Sequence, residues 1–498
     1  MSESAKDKSS VKHIADIVGE WGKWQFHFVA YCFILWSFAA INNMGYSFHA
    51  YNNDFWCSDV PIDYLNKTED MKCFKFLSPN ESCTEWQYDR TQFGNSIITE
   101  FDLVCSRSNF ASISQTLFML GYVVSGLVFA HYSDKYGRRP IVWLSFSIEI
   151  FGILLCALST NIYFYSFARF LVGMGSSGRG MTIYIIMLEC IGSKYRSDVS
   201  LLGGVGWLLG YASIPGLAYW LQDYKYLQLI SLVPLSTMFI WFYWFYESPR
   251  WQITVGQLDK AEVTLKNALK LNGKSDVNLK QKIKKIKIKT QTEGESQRNY
   301  TALDLVKTPL LRKISFILWY TWIVEALLYY GFSLNIGDFG GNFYITFLLS
   351  GLVELPSQIL CVFLLRVMGR RTLFSLFLFM TSASCFAIIP SQSDWLKVTF
   401  ALMAKFGVNS AWNVMAIHGP ELYPTVLRQR GQGMASVFSR IGSISSPFMR
   451  NLAANTSLAV VMILYGLLSL VSALLVLLLP ETKGREIPDT IEEAENVL

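Results

Sequence analysis

Charge is scarce in this sequence. Only 16% of its 498 residues are Asp, Glu, Lys or Arg, whereas a soluble chain carries about a quarter. A string of water-soluble domains is therefore not expected. Histidine is nearly missing: His13, His27, His49, His131 and His418 make no metal-ligand spacing, and no Cys-x-x-Cys occurs. No metal, cofactor or enzymatic chemistry is expected from such a set. A nucleotide-binding loop is also missing, because Gly273-Lys274-Ser275 ends like one but Ala268 stands where its first glycine must be. The net charge of +6 leaves no basic domain for nucleic acid. The first 23 residues carry scattered charge without an apolar core, which argues against a cleaved signal peptide.

Apolar length is what the chain has. About 20 largely apolar residues span a bilayer. On that criterion the segments are 24–44, 110–131, 140–160, 162–187, 198–220, 226–246, 314–334, 340–366, 372–391, 394–416, 429–451 and 456–479. The expectation is an all-α membrane protein of twelve transmembrane helices in two six-helix bundles. Its parts are an N-terminus 1–23, a first bundle 24–246 with an outer loop 45–108, an insert 247–313, a second bundle 314–479 and a tail 480–498.

The insert holds fifteen Lys/Arg against seven Asp/Glu, while the 45–108 loop holds five against ten. The positive-inside rule, weighed mainly on the short basic loops, then puts both termini and the insert in the cytoplasm of a multi-pass cell-membrane protein. The outer loop carries Cys57, Cys73, Cys83 and Cys105, an even set with three possible pairings. It also carries glycosylation sequons at Asn66 and Asn80. The insert over 258–289 is amphipathic and basic, with Val277, Ile283 and Ile286 among lysines. It suits either a bundle packed under the pore or an anionic lipid surface.

The halves repeat. Gly137-Arg138-Arg139 recurs as Gly369-Arg370-Arg371 and Glu189…Arg196 as Glu421…Arg428, both at an offset of 232; Glu247-Ser-Pro recurs as Glu481-Thr-Lys at 234. Duplicated bundles rocking about a midplane site leave such a pattern.

AHYSDKYGRRP (130–140), RFLVGMG (169–175), YESPRW (246–251) and LPETKG (479–484) resemble the signatures of the major facilitator superfamily. SCTEWQYD (82–89), ITEFDLVC (98–105), ELYPTVLRQRG (421–431) and RIGSISSPF (440–448) resemble its organic cation, anion and carnitine transporter family. The likeness is collinear over nearly the whole chain and implies the major facilitator fold and alternating access. The chain departs from the pattern at Ala130, where a glycine is usual, at Arg366 in the place of Asp134, and in four outer-loop cysteines where many relatives have six.

The resemblance implies a cytoplasmic gate built from Asp134, Arg138, Arg139, Glu189, Arg196, Arg370, Arg371, Glu421 and Arg428, pairing across the halves when the inside is shut. The alternative is that these charges only anchor helix ends at the headgroups.

Charges inside the spans are costly and call for a partner, a cavity or a role. They are Glu149, Arg169, Glu325, Glu354, Lys405 and Arg440. Arg169 and Lys405 open glycine-rich packing segments and read as fold, and Glu149 is expected to pair with one of these cations. Arg440 shares a helical face with Ser436, Ser443 and Pro447. By the resemblance its position carries Asp in the cation branch and Arg in the anion and carnitine branches. A guanidinium fork matches a carboxylate, so Arg440 reads as a substrate partner, or else as the structural partner of Glu325 or Glu354. Glu354 is the acid of the cation and carnitine branches, and Gln358 stands where the anion branch has lysine. Trp322, Tyr329 and Tyr330 flank Glu325 and suit an ammonium through cation–π contact, or simply pack. One cation and two acids at one depth point first to a carboxylate-bearing zwitterion such as carnitine, a betaine or β-alanine. The alternatives are a polyspecific organic cation or anion carrier and a sensor without flux. A small organic ion and the bilayer are the expected partners; the coupling ion and oligomeric state stay open.

Overall fold

A computed structural model describes residues 13–58, 72–74, 81–241, 245–275, 278–295, 301–485 and 488–497. The first half holds α1 Lys23–Met44, α2 Asn109–Tyr136, α3 Arg138–Ala157, α4 Ile162–Cys190, α5 Arg196–Leu221 and α6 Leu232–Trp241. The second holds α7 Pro309–Leu334, α8 Phe343–Val367, α9 Arg370–Ile388, α10 Asp394–Glu421, α11 Arg428–Ser445 and α12 Leu458–Val476. The chain is thus a twelve-helix membrane protein. Among the described residues seven helices are long and apolar enough to cross a bilayer unaided. α4, α10 and α11 are not, because they carry charges and bury glycines, Arg169, Arg179 and Lys405 being fully buried against neighbouring helices.

Three spans are shorter or more broken than the hydropathy predicts. A short helix Tyr224–Leu229 precedes α6. α8 is interrupted at Val353, and α11 ends at Ser445, ahead of Pro447, before a further helix Phe448–Asn455. Proline removes a backbone donor and blocks the preceding turn, so it divides a helix whose neighbours are otherwise compatible with it.

Close packing sets the two halves on one plan. A Cβ on Gly210 of α5 would collide with the carbonyl of Ser37 in α1, and one on Gly442 of α11 with that of Ile323 in α7. Gly210 and Gly442 stand at the same 232-residue offset as the charged motifs.

Both chain ends lie on one face, the termini face, with the insert helices Pro249–Thr254, Leu258–Leu271 and Leu279–Glu295. Of the insert's apolar stripe, Ile283 and Ile286 are buried in the core, whereas Val277 falls outside the described residues. The insert therefore packs as a bundle. Asn272 ties it to the start of α1, accepting from Trp24 N (2.9 Å) and donating to Val18 O and Gln25 Oε1.

On the opposite, loop face, strands Phe55–Cys57 (β1) and Trp86–Tyr88 (β2) pair antiparallel, with Phe55 opposite Tyr88. Two interleaved disulfides, Cys57–Cys83 and Cys73–Cys105, close this domain and select one of the three pairings. Asn66 and Asn80 lie outside the described residues.

Candidate functional site

The termini face carries the repeated motifs as two matching rings. The Glu247 carboxylate accepts from the backbone N–H groups of Arg138 and Arg139, both at 3.0 Å; Glu481 does the same for Arg370 (2.8 Å) and Arg371 (3.2 Å). Each acid thus caps the free N–H groups and positive dipole end of α3 or α9. Gly137, at φ +107°, is needed there, since a Cβ would come 2.5 Å from Glu247 Oε2. Arg138 pairs with Asp134 (3.0 Å) and Glu189 (3.4 Å), and Arg370 with Glu421 (3.3 Å). Ser248 donates to Glu189 and Thr482 to Glu421. Arg428 bonds Pro420 O and Thr425 Oγ1, and Arg196 begins α5 with a side chain outside the description.

The sequence led us to expect pairing across the halves when the inside is shut. In this structure, whose loop face is the one that is shut, these pairs close within their own halves. The reason lies at the other face, where the halves meet. Ser112 Oγ donates to Pro447 O (2.9 Å), Thr116 Oγ1 to Ile444 O (3.1 Å) and Ser47 Oγ to Leu334 O (3.0 Å). Tyr344 OH reaches Gln92 O at 2.7 Å, and Arg450 reaches Ala50 O. The loop face is sealed by these contacts between the halves.

Between the faces lie the buried charges, and their partners differ from those expected. Glu149 does not pair with Arg169 or Lys405. It holds Arg179 of α4, at 2.7 and 3.0 Å, with both side chains fully buried, and also accepts from Asn42. Arg169 lies over the Phe118 ring (4.2 Å) and donates to Gln115 Oε1 (2.8 Å) and Asn42 O. It is a packing cation of the first half.

Glu354 is not partnered by Arg440 either. Its Oε1 is 3.2 Å from Lys405 Nζ and accepts from Tyr329 OH at 3.0 Å. Lys405 also donates to Tyr211 OH and Ser350 Oγ, both at 2.9 Å, and lies 4.2 Å from the Tyr211 ring centre. Trp207 Nε1 donates to Tyr329 OH at 3.1 Å. Because Tyr211 and Trp207 belong to α5, this C-half ion pair is held by the other half. Asn43 Nδ2 reaches Tyr330 OH at 3.4 Å, and Gln358 packs beside Gly204.

Arg440 is half-buried, its guanidinium over the Tyr122 ring at 5.2 Å. Its backbone carbonyl accepts from Ser443 Oγ, but among the described residues its guanidinium has no carboxylate and no hydrogen-bond partner. Along its helical face Ser436 is exposed while Ser443 and Pro447 are buried, so Arg440 sits where the opening ends and the loop-face seal begins. Rings surround this level: Trp36 packs against Trp207 and Tyr184, and Trp412 against Trp322 (5.1 Å) and Tyr329 (5.8 Å). Sequence reasoning missed Arg179, Tyr211, Trp207, Trp412 and Tyr122. The charge of Arg179 was readable, but the small residues around it (GSSGRG) gave no hint of depth.

Two pseudo-symmetric six-helix bundles meeting over a layer of charged and aromatic side chains define a membrane transporter of the major facilitator type. Residues 64–494 match the family described as sugar (and other) transporter. The chain is 33% identical over 446 residues to the organic cation transporter protein of Drosophila melanogaster, covering 88% of this chain and 81% of that one. It is 34% identical to solute carrier family 22 member 3 of Mus musculus (89% and 80% covered) and 30% identical to organic anion transporter 3 of Homo sapiens (88% and 83%). The chain belongs to the sugar (and other) transporter family and, within it, to the organic cation and anion transporters. A solved structure of the E. coli xylose transporter XylE, in its inward open conformation, shares the fold at a TM-score of 0.65 and 13% identity, covering 97% of this chain and 99% of that one.

Proposed function

We propose that this chain carries small organic ions across a cell membrane by alternating access, with carboxylate-bearing organic anions favoured. The carrying observation is the free guanidinium of Arg440 beside the seal. Its planar fork suits a carboxylate, and a charge-assisted pair in a water-poor site is strong. Glu354 is already neutralised by Lys405 and Glu325 is shut away from solvent, so the half-buried guanidinium of Arg440 is the charge the layer offers to a ligand. This supports a polyspecific organic-ion carrier, as the relatives' names also do, over the carnitine-like zwitterion. A zwitterion's ammonium needs Glu354, which becomes available only when Lys405 is displaced. The positive-inside pattern supports a cytoplasmic termini face.

The test is uptake into proteoliposomes of one cation, one anion and one zwitterion of similar size, by the wild type and Arg440→Asp. Carboxylate uptake is expected to fall at least about tenfold in the variant, the loss of a charged hydrogen bond worth roughly 1.5–3 kcal/mol. Unchanged carboxylate uptake removes Arg440 from the site, and no flux of any probe favours a sensor.

A further inference from the structure

Three acids lie inside the spans. Glu149 is held by Arg179 and Glu354 by Lys405. Glu325 is 0% exposed, and among the described residues neither of its carboxylate oxygens has a hydrogen-bond partner. An ionised carboxylate shut away without a counter-charge is too costly to keep, whereas the neutral acid is tolerated.

The surroundings supply no counter-charge. α7 packs against α8, α10, α11 and α12. α10 carries Asp394, Lys397, Lys405, His418 and Glu421; α11 carries Arg428, Arg430 and Arg440; α8 carries Glu354 and Arg366; α12 carries no charge; α7 itself adds Arg312 and Lys313, and the turns at its ends Asp304 and Asp338. None of them pairs with Glu325. Lys405 is committed to Glu354, Lys397 to Asp394, Glu421 to Arg370 and Asp338 to Arg450.

Position gives the acid a route to the transport machinery. Trp322, Glu325 and Tyr329 follow one another at i, i+3 and i+7 on one face of α7. Trp322 and Tyr329 both pack on Trp412 of α10, which puts Glu325 between them and one turn from the hydroxyl that holds Glu354. That hydroxyl and Lys405 are themselves fastened to Trp207 and Tyr211 of the other half. Opening of the loop-face seal by separation of the halves would part Lys405 and Tyr329 from those partners and bring water to their level.

We propose that Glu325 is a proton-binding site that sets the conformational equilibrium, a role that rests on the alternating-access reading above. It keeps its proton while the loop face is sealed. When the seal opens, the carboxylic acid gives that proton to water and becomes a solvated carboxylate. Protonation thus favours the sealed form and rising pH favours opening.

The experiment needs no substrate. Ser112, buried in the seal, is replaced by cysteine, and its alkylation by a thiol reagent is followed against pH in the purified full-length protein. After correction for the thiolate fraction of a control cysteine on the exposed surface, the Ser112→Cys background should react faster as pH rises, by at most about tenfold per pH unit for one proton. Adding Glu325→Gln should flatten the profile, and Glu325→Asp should keep a slope with a shifted midpoint. A flat profile in the Ser112→Cys background, or one that Glu325→Gln and Glu325→Asp leave unchanged, overturns the proposal. If Glu325→Gln does not fold, the Glu325→Asp midpoint decides alone. A chain that titrates through Glu325 yet carries no organic ion sinks the transporter reading and leaves the proton site standing.

Discussion

Glu354 of α8 and Lys405 of α10 form an ion pair that water does not reach, and the lysine is bonded at the same time to Tyr211 of the opposite half. The pair is therefore both a core element of the second bundle and a fastening between bundles. Removing one member leaves the other buried and uncompensated, which costs about 3–5 kcal/mol. Lys405→Met should lower the thermal midpoint of the purified protein sharply, and the double variant with Glu354→Gln should recover most of the loss. Equal stability of the single variant and wild type contradicts the pairing.

Trp207→Phe deletes one hydrogen bond between the halves, to Tyr329, and Tyr211→Phe deletes those of its hydroxyl to Lys405, Ser350 and Ser333, each leaving an aromatic ring in place. Each such bond contributes roughly 0.5–1.5 kcal/mol. The sealed form should lose ground to the open one by about two- to tenfold for Trp207→Phe and by more for Tyr211→Phe. Faster alkylation of Ser112→Cys reads the shift, and no change in rate would detach these bonds from the seal.

The loop-face domain depends on its crosslinks, because a two-stranded ribbon is marginal by itself. Loss of a native disulfide from so small a unit costs about 2–5 kcal/mol. Non-reducing peptide mapping should recover Cys57 with Cys83 and Cys73 with Cys105. Cys57→Ser should open this domain to proteolysis while the twelve helices remain folded; recovery of Cys57–Cys73 peptides from the wild type would refute the connectivity.

Glu481 gives the termini face an acid limit. Burial pushes its carboxyl up, but the backbone N–H groups of Lys483 and Arg370 and further positive neighbours outweigh this and hold it below its ordinary 4.5. A carboxyl lowered in the folded state stabilises fully above that ordinary value, and the contribution is lost as pH falls through the folded one. Thermal scans toward acid pH should show a shallower decline for Glu481→Gln than for wild type. Parallel declines would mean that the cap contributes nothing measurable.

The architecture was legible because two strong signals agree in the sequence: apolar length and motifs repeated at 232 residues. Gly210 and Gly442 lie at that offset and could have been picked out as the close contacts between the first and fifth helices of each half. The pairing of buried charges was not legible. Glu325 and Glu354 are both lone acids on apolar helices, and only packing over long sequence distances gives Lys405 to one and nothing to the other. Arg440 stood out by residue type and position, whereas the partnership of Glu149 with Arg179 depends on how closely α3 and α4 approach. A Cβ on Gly175 would come 2.5 Å from the backbone nitrogen of Glu149, a proximity that no spacing rule reports.

The two buried ion pairs also have an electrical consequence. Glu149–Arg179 and Glu354–Lys405 are each neutral, so carrying them through the membrane field requires no net work. Arg169 and Arg440 are the cations between the faces without a carboxylate partner among the described residues, but Arg169 is packed inside the first half and Arg440 is the half-buried one; a full charge moved through 100 mV changes energy by about 2.3 kcal/mol. An anion bound to Arg440 cancels it. The loaded carrier then reorients with one charge fewer than the empty one, so the two halves of the cycle respond differently to the potential.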